Sequence, residues 1–163
     1  MLQRILGKHP DIHTLSEPWL LLHPVYALRK DGIWTEYDAR VAWNARQNFV
    51  QSLPHGHEDY FEGMRRMYGY LYGEVIGDSG KRYFLDKTPR YYQIVLQIRR
   101  LFPDAQIIIL LRNPLAVLCS VLRTWVEGSW FLLHRYRCDL LEAPKLLLDG
   151  VKGLDGSCLV VRY

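Results

Sequence analysis

A parallel α/β fold is predicted by three observations. Ile107-Ile108-Ile109-Leu110-Leu111 is an unbroken run of branched apolar residues, the pattern of a strand buried on both faces. Just upstream, a strand at Tyr83-Phe84-Leu85-Asp86-Lys87 leads into the chain's cleanest helical periodicity: Ile94, Val95, Ile98, Leu101 and Phe102 on one face. Strand, helix and strand within roughly thirty residues make a βαβ unit, with parallel pairing and a right-handed crossover. Cys158-Leu159-Val160-Val161 reads as one more buried strand.

The remaining elements follow in order. Leu2, Ile5 and Leu6 share a helical face that Gly7 and Pro10 close. Ile12 to Leu15 is a short strand, and an apolar segment surrounds Trp19 to Leu22. Residues 23–40 read as irregular, with a turn at Asp31-Gly32. Helices are expected from about Asp38 to Gln51 and from about Glu58, the second weakened by Gly63, Gly69 and Gly73. Asp78-Ser79-Gly80 is a turn, and Thr88-Pro89 opens the helix that Phe102-Pro103-Asp104 ends. Asn113 suits an N-cap and Pro114 the first turn of a helix running to about Glu127. Another is expected from Ser129 to Leu148, with Pro144 near its end or in a break.

Composition narrows the function. The 163 residues, 49% hydrophobic and 23% charged, fit one soluble domain. A net charge of +4 suits an anionic small molecule, but no basic run exceeds two residues, so the stripe of a nucleic-acid binder is missing. Three cysteines without metal or CxxC spacing favour free thiols in a reducing compartment. No apolar run approaches membrane-spanning length and residues 1–25 lack a signal peptide's layout, so a cytoplasmic location is expected. His55-Gly56-His57, after Pro54, reads as a polar loop, and no metal cluster is offered.

Three strand ends share one layout: Leu15-Ser16-Glu17-Pro18, Asp86-Lys87-Thr88-Pro89 and Leu111-Arg112-Asn113-Pro114. In each, a strand stops, a charge or cap follows, and proline opens the next segment. Parallel strands would bring all three ends to one sheet edge, where open α/β folds bind ligands. Glu17, Lys87 and Arg112 would then supply a carboxylate and two cations. Each also has a plainer reading: a dipole complement for Glu17, a solvated edge charge for Lys87, a surface salt bridge for Arg112.

These blocks resemble those of sulfotransferases that use 3′-phosphoadenosine-5′-phosphosulfate, in the bacterial and Golgi-type branch. Arg112 with Ser120 eight places on resembles the 3′-phosphate-binding segment, and Lys87-Thr88-Pro89 the segment whose lysine contacts the phosphosulfate. His9 through Pro18 is similar to the segment carrying the acceptor-activating glutamate, and Val161-Arg162-Tyr163 to a strand-end motif whose tyrosine lies near the nucleotide. The resemblance implies a three-layer, P-loop-NTPase-like parallel sheet flanked by helices. It assigns catalysis to Glu17 and Lys87 and nucleotide binding to Arg112, Ser120 and Tyr163, with no metal.

The implied reaction moves a sulfuryl group from that donor to a hydroxyl or amine of a small-molecule, carbohydrate or peptide acceptor. The family's phosphate loop would precede Leu2 and its last nucleotide loop would follow Tyr163. Residues 1–163 are therefore expected to be a single, incomplete sulfotransferase domain. The alternative is an inactive fragment serving as a structural or interaction module and self-associating through an uncovered sheet. A kinase-like transferase is a weaker rival, for want of a P-loop or a paired-Asp magnesium site.

Overall fold

The computed structural model describes residues 1–163, which divide into two compact units, Met1–Pro89 and Arg90–Tyr163. The first contains α1 (Leu2–Leu6), β1 (Ile12–Thr14), α2 (Leu22–Tyr26), α3 (Ala39–Ser52), α4 (His57–Ile76) and β2 (Tyr83–Leu85). β1 and β2 pair in parallel, with Ile12 opposite Tyr83 and Thr14 opposite Leu85. The Thr14 hydroxyl donates to the Leu85 carbonyl at 2.8 Å and accepts from Gln3 Nε2 at 2.9 Å, tying α1 to the end of the ladder.

Local chemistry accounts for the helices. Asp38 caps α3, its carboxylate accepting from the N–H groups of Arg40 and Val41 at 2.9 and 3.0 Å. α4 opens with Glu58 and Asp59, which complement the helix dipole, and His55 N–H donates to Asp59 at 2.8 Å. His57 is thus the first residue of a helix, not part of a loop. The interior glycines of α4 do not break it, because Phe61, Met64 and Tyr68 bury one continuous face. α2 forms where residues 23–40 were expected to be irregular. Its own Leu22 and Val25 are buried, and that packing outweighs the local turn formers.

A 3₁₀ turn at Pro89–Gln93 leads from the first unit into the second, which continues through α5 (Val95–Leu101), β3 (Ile107–Leu111) and α6 (Pro114–Thr124). A 3₁₀ segment at Trp130–Tyr136 and a π turn at Cys138–Glu142 lead to α7 (Ala143–Gly153) and β4 (Cys158–Arg162). The long helix expected over 129–148 is therefore three pieces. Pro144 takes the first turn of α7, and the preceding turn widens so that Ala143 N–H reaches the Cys138 carbonyl. The helix expected from Thr88 likewise begins as a 3₁₀ turn, with Tyr92 buried at its end.

β3 and β4 pair in parallel from Ile107 opposite Cys158 to Leu111 opposite Arg162. Ile109 packs with Val95 of α5 and Leu154, and Ile107 and Leu111, two places either side, join the same cluster. Only Ile109 of the run is fully buried; its neighbours are half-buried, so the expectation of a strand buried on both faces holds at one residue. Gly150 of α7 lies close to α5: a Cβ there would sit 3.2 Å from Val95 Cγ1.

The fold class is α/β with small parallel sheets, as expected. The ladder expected between 83–87 and 107–111 is not the one that forms. β2 takes β1 as its partner and β3 takes β4. Each ladder is fully in register, three residues of β1 against three of β2 and five of β3 against five of β4. No helix is long and apolar enough to cross a membrane.

Candidate active site

The predicted residues fall into two sets, one in each unit. In the first, paired β1 and β2 end side by side, which brings the segments beyond them together. Glu17 Oε1 accepts a hydrogen bond from Lys87 Nζ, an ion pair whose side chains are 38% and 44% exposed. Two charges seventy places apart in sequence thus meet because their strands stop at the same level.

The turn that delivers Glu17 is strained. Glu17 has φ 25° and Trp19 φ 57°, on either side of Pro18. A left-handed L-residue costs roughly 1–2 kcal/mol, so something must hold this turn. Thr88 does. Its hydroxyl accepts from Trp19 N–H at 3.2 Å and donates to Asp86 Oδ1 at 3.2 Å. Asp86 Oδ2 in turn accepts from the Tyr72 hydroxyl of α4 at 2.6 Å. The Tyr72 ring stacks on Phe84 with centroids 4.6 Å apart. Thr88 was expected only to open a helix with Pro89, and Asp86 only to end a strand. Their spacing on either side of Lys87 was the available signal, whereas nothing local marked Tyr72.

In the second unit, Asn113 caps α6 by accepting from Leu115 N–H at 2.9 Å, with Pro114 in the first turn as expected. Arg112, between β3 and that cap, is exposed. Its guanidinium carbon lies 5.5 Å from the centre of the Tyr163 ring, and Tyr163 N–H donates to the Leu111 carbonyl at 3.2 Å. Ladder and ring contact together put Arg112 and Tyr163 at one strand end. Arg112 joins no salt bridge; the carboxylate Asp139 is instead held by Arg90, through Oδ1 at 3.2 Å and Oδ2 at 2.7 Å. Ser120 is half-buried on α6, which ends at Thr124, short of the expected Glu127.

Asp139, from the π turn, also accepts from the Tyr92 hydroxyl at 2.8 Å. Burial, and then this hydrogen bond, raise the Tyr92 phenol above its ordinary value, and the Asp139 bond raises Arg90 further. The carboxylate is satisfied by both partners, and the cluster was not legible in advance because residues 90 and 139 are far apart.

The fold is thus a parallel α/β one with a cation, Lys87 or Arg112, just past the end of a strand in each unit. Residues 1–161 match the sulfotransferase family, and the chain belongs to it. Nodulation protein NoeE of Sinorhizobium fredii is 35% identical over 126 residues, covering 77% of this chain and 28% of that protein. The chain thus spans little more than a quarter of that relative's length. No solved structure matches it.

Proposed function

We propose that the chain carries sulfuryl-transfer residues of a sulfotransferase domain whose donor is 3′-phosphoadenosine-5′-phosphosulfate. The Glu17–Lys87 contact at the end of β1 and β2 carries this reading. Sulfuryl transfer, like phosphoryl transfer, spreads charge over the peripheral oxygens and the bridge to the leaving group, so positioning and electrostatics dominate. The donor supplies the activated sulfuryl group. Lys87 would set its ammonium against the bridging oxygen, leaving Glu17 free to take the proton from the acceptor hydroxyl or amine. As the acceptor atom bonds to sulfur, the sulfur–oxygen bond to the phosphate breaks, and the bisphosphate departs with the electron pair.

Arg112 suits the 3′-phosphate, since no carboxylate occupies its guanidinium; Ser120 would add a hydroxyl bond and Tyr163 a ring near the nucleotide. The family match runs through both units, which supports one partial domain rather than two proteins. The three free cysteines are in keeping with a cytoplasmic setting. A second reading, an inactive piece with a structural or interaction role, is favoured by the 28% coverage of the relative.

Titration with adenosine 3′,5′-bisphosphate by calorimetry separates them. Binding that Arg112→Ala weakens by about 10- to 100-fold, with sulfate appearing on an acceptor supplied alongside the donor, is the expected result. A folded, monodisperse chain that binds nothing leaves the second reading.

A further inference from the structure

We infer that Tyr72, Asp86 and Thr88 are positioning residues: a hydroxyl–carboxylate chain that holds Glu17 in contact with Lys87. The inference rests on the sulfuryl-transfer reading for its purpose, but its geometry stands alone within the first unit. Asp86 and Thr88 flank Lys87 and are bonded to each other, so the segment is bent around the lysine. The same Thr88 hydroxyl takes the N–H of Trp19, two residues from Glu17. One oxygen therefore fixes both arms of the ion pair.

Three features mark this as more than a routine buried threonine. Thr88 is the one non-aromatic polar residue buried in the chain, at 6% exposure. The arm it holds is strained at both Glu17 and Trp19, and the ion pair that results is itself open to water. A half-exposed ion pair cannot hold a strained turn by itself, because solvent screening leaves it too little energy. The restraint has to come from beneath, where the hydrogen bonds are shielded. Tyr72 completes it: α4 presents the hydroxyl that orients Asp86, so the carboxylate points its other oxygen at Thr88. The arrangement is a shielded support under two water-exposed charged side chains.

The test uses the full chain with Thr88→Val, Thr88→Ser and Tyr72→Phe. The hydrogen-bond scalar coupling between the Lys87 ammonium nitrogen and the Glu17 carboxylate, read by NMR, reports the contact without requiring turnover. We expect the coupling in the native chain, its loss in Thr88→Val, its return in Thr88→Ser and its weakening in Tyr72→Phe. In a transfer assay kcat should fall about 10- to 100-fold in Thr88→Val, with donor KM nearly unchanged and near-complete rescue by serine.

Coupling that persists in Thr88→Val, or that serine does not restore, overturns the inference, as does its absence from the native chain. If Thr88→Val fails to fold, Tyr72→Phe decides: an unaltered coupling there overturns it and a weakened one supports it. A native chain that shows the coupling yet transfers no sulfate refutes the enzymatic reading and leaves the positioning result standing.

Discussion

The Glu17–Lys87 pair should matter little to stability and greatly to chemistry, and the two can be measured on the same variants. Both side chains keep substantial contact with water, at 38% and 44% exposure. At that exposure the attraction is screened, and coupling energies for such pairs run about 0.2–1 kcal/mol. For a chain of this size ~1 kcal/mol moves the melting temperature by about 2–4 °C. Glu17→Gln, Lys87→Met and their combination should therefore each melt within about 4 °C of the native chain, with a coupling energy below ~1 kcal/mol from urea unfolding. A general base contributes about 10²–10⁴-fold to rate, and a group aimed at developing charge about 10²–10³-fold. Either single variant should then lose at least ~100-fold in sulfuryl transfer, and the double variant little more than the worse single, because the two act in one step. A coupling above ~2 kcal/mol with transfer unchanged would refute the reasoning, and the pair would be a structural clamp.

Other outcomes are expected on the same preparation. Arg112→Ala should weaken adenosine 3′,5′-bisphosphate binding by about 10- to 100-fold and Ser120→Ala by about fivefold, both read by calorimetry. Tyr92 holds its proton in the folded chain at pH values where the unfolded chain has released it. Stability should therefore be full below the ordinary phenol value of 10.0 and decline as pH rises beyond it, and Tyr92→Phe should flatten that decline in urea titrations. Ile94 and Leu101 are fully buried, so alanine at either should cost about 2–5 kcal/mol of unfolding free energy. Asn113→Ala removes the cap of α6 and should cost about 1 kcal/mol, visible as a loss of helical circular dichroism on heating.

What could be read from the sequence was whatever depends on near neighbours. Asp38 and Asn113 announced their helices because a cap acts over two or three residues. The apolar spacing of Val95 and Leu101 identified α5 because packing selects one face. The strand–charge–proline layout located Glu17, Lys87 and Arg112 because a strand end is a local event. Pairing was less legible: β2 joins β1 across a long stretch of chain, and three-residue strands carry too little pattern to choose a partner. Left-handed backbone at Glu17 and Trp19 was hidden as well, since neither is glycine and the bond that Trp19 N–H donates to Thr88 comes from far along the chain. Tyr72 and Asp139 gained their roles from partners that tertiary folding chose. The π turn within 129–148 came from Pro144, whose effect on the preceding turn depends on where the next helix starts.

The pairing of β3 with β4 also has a consequence for how the polypeptide is made. Ile107–Leu111 leaves the ribosome about fifty residues before the strand that covers its edge. For that interval an uncharged, β-prone, five-residue segment is without its partner, the kind of sequence that seeds cross-chain association. Arg112 and Pro114 stand directly behind it: a charge that repels a second copy and a ring that cannot extend a ladder. The same arginine proposed to grip a phosphate would thus guard the nascent chain. Its loss should appear first as inclusion bodies during expression.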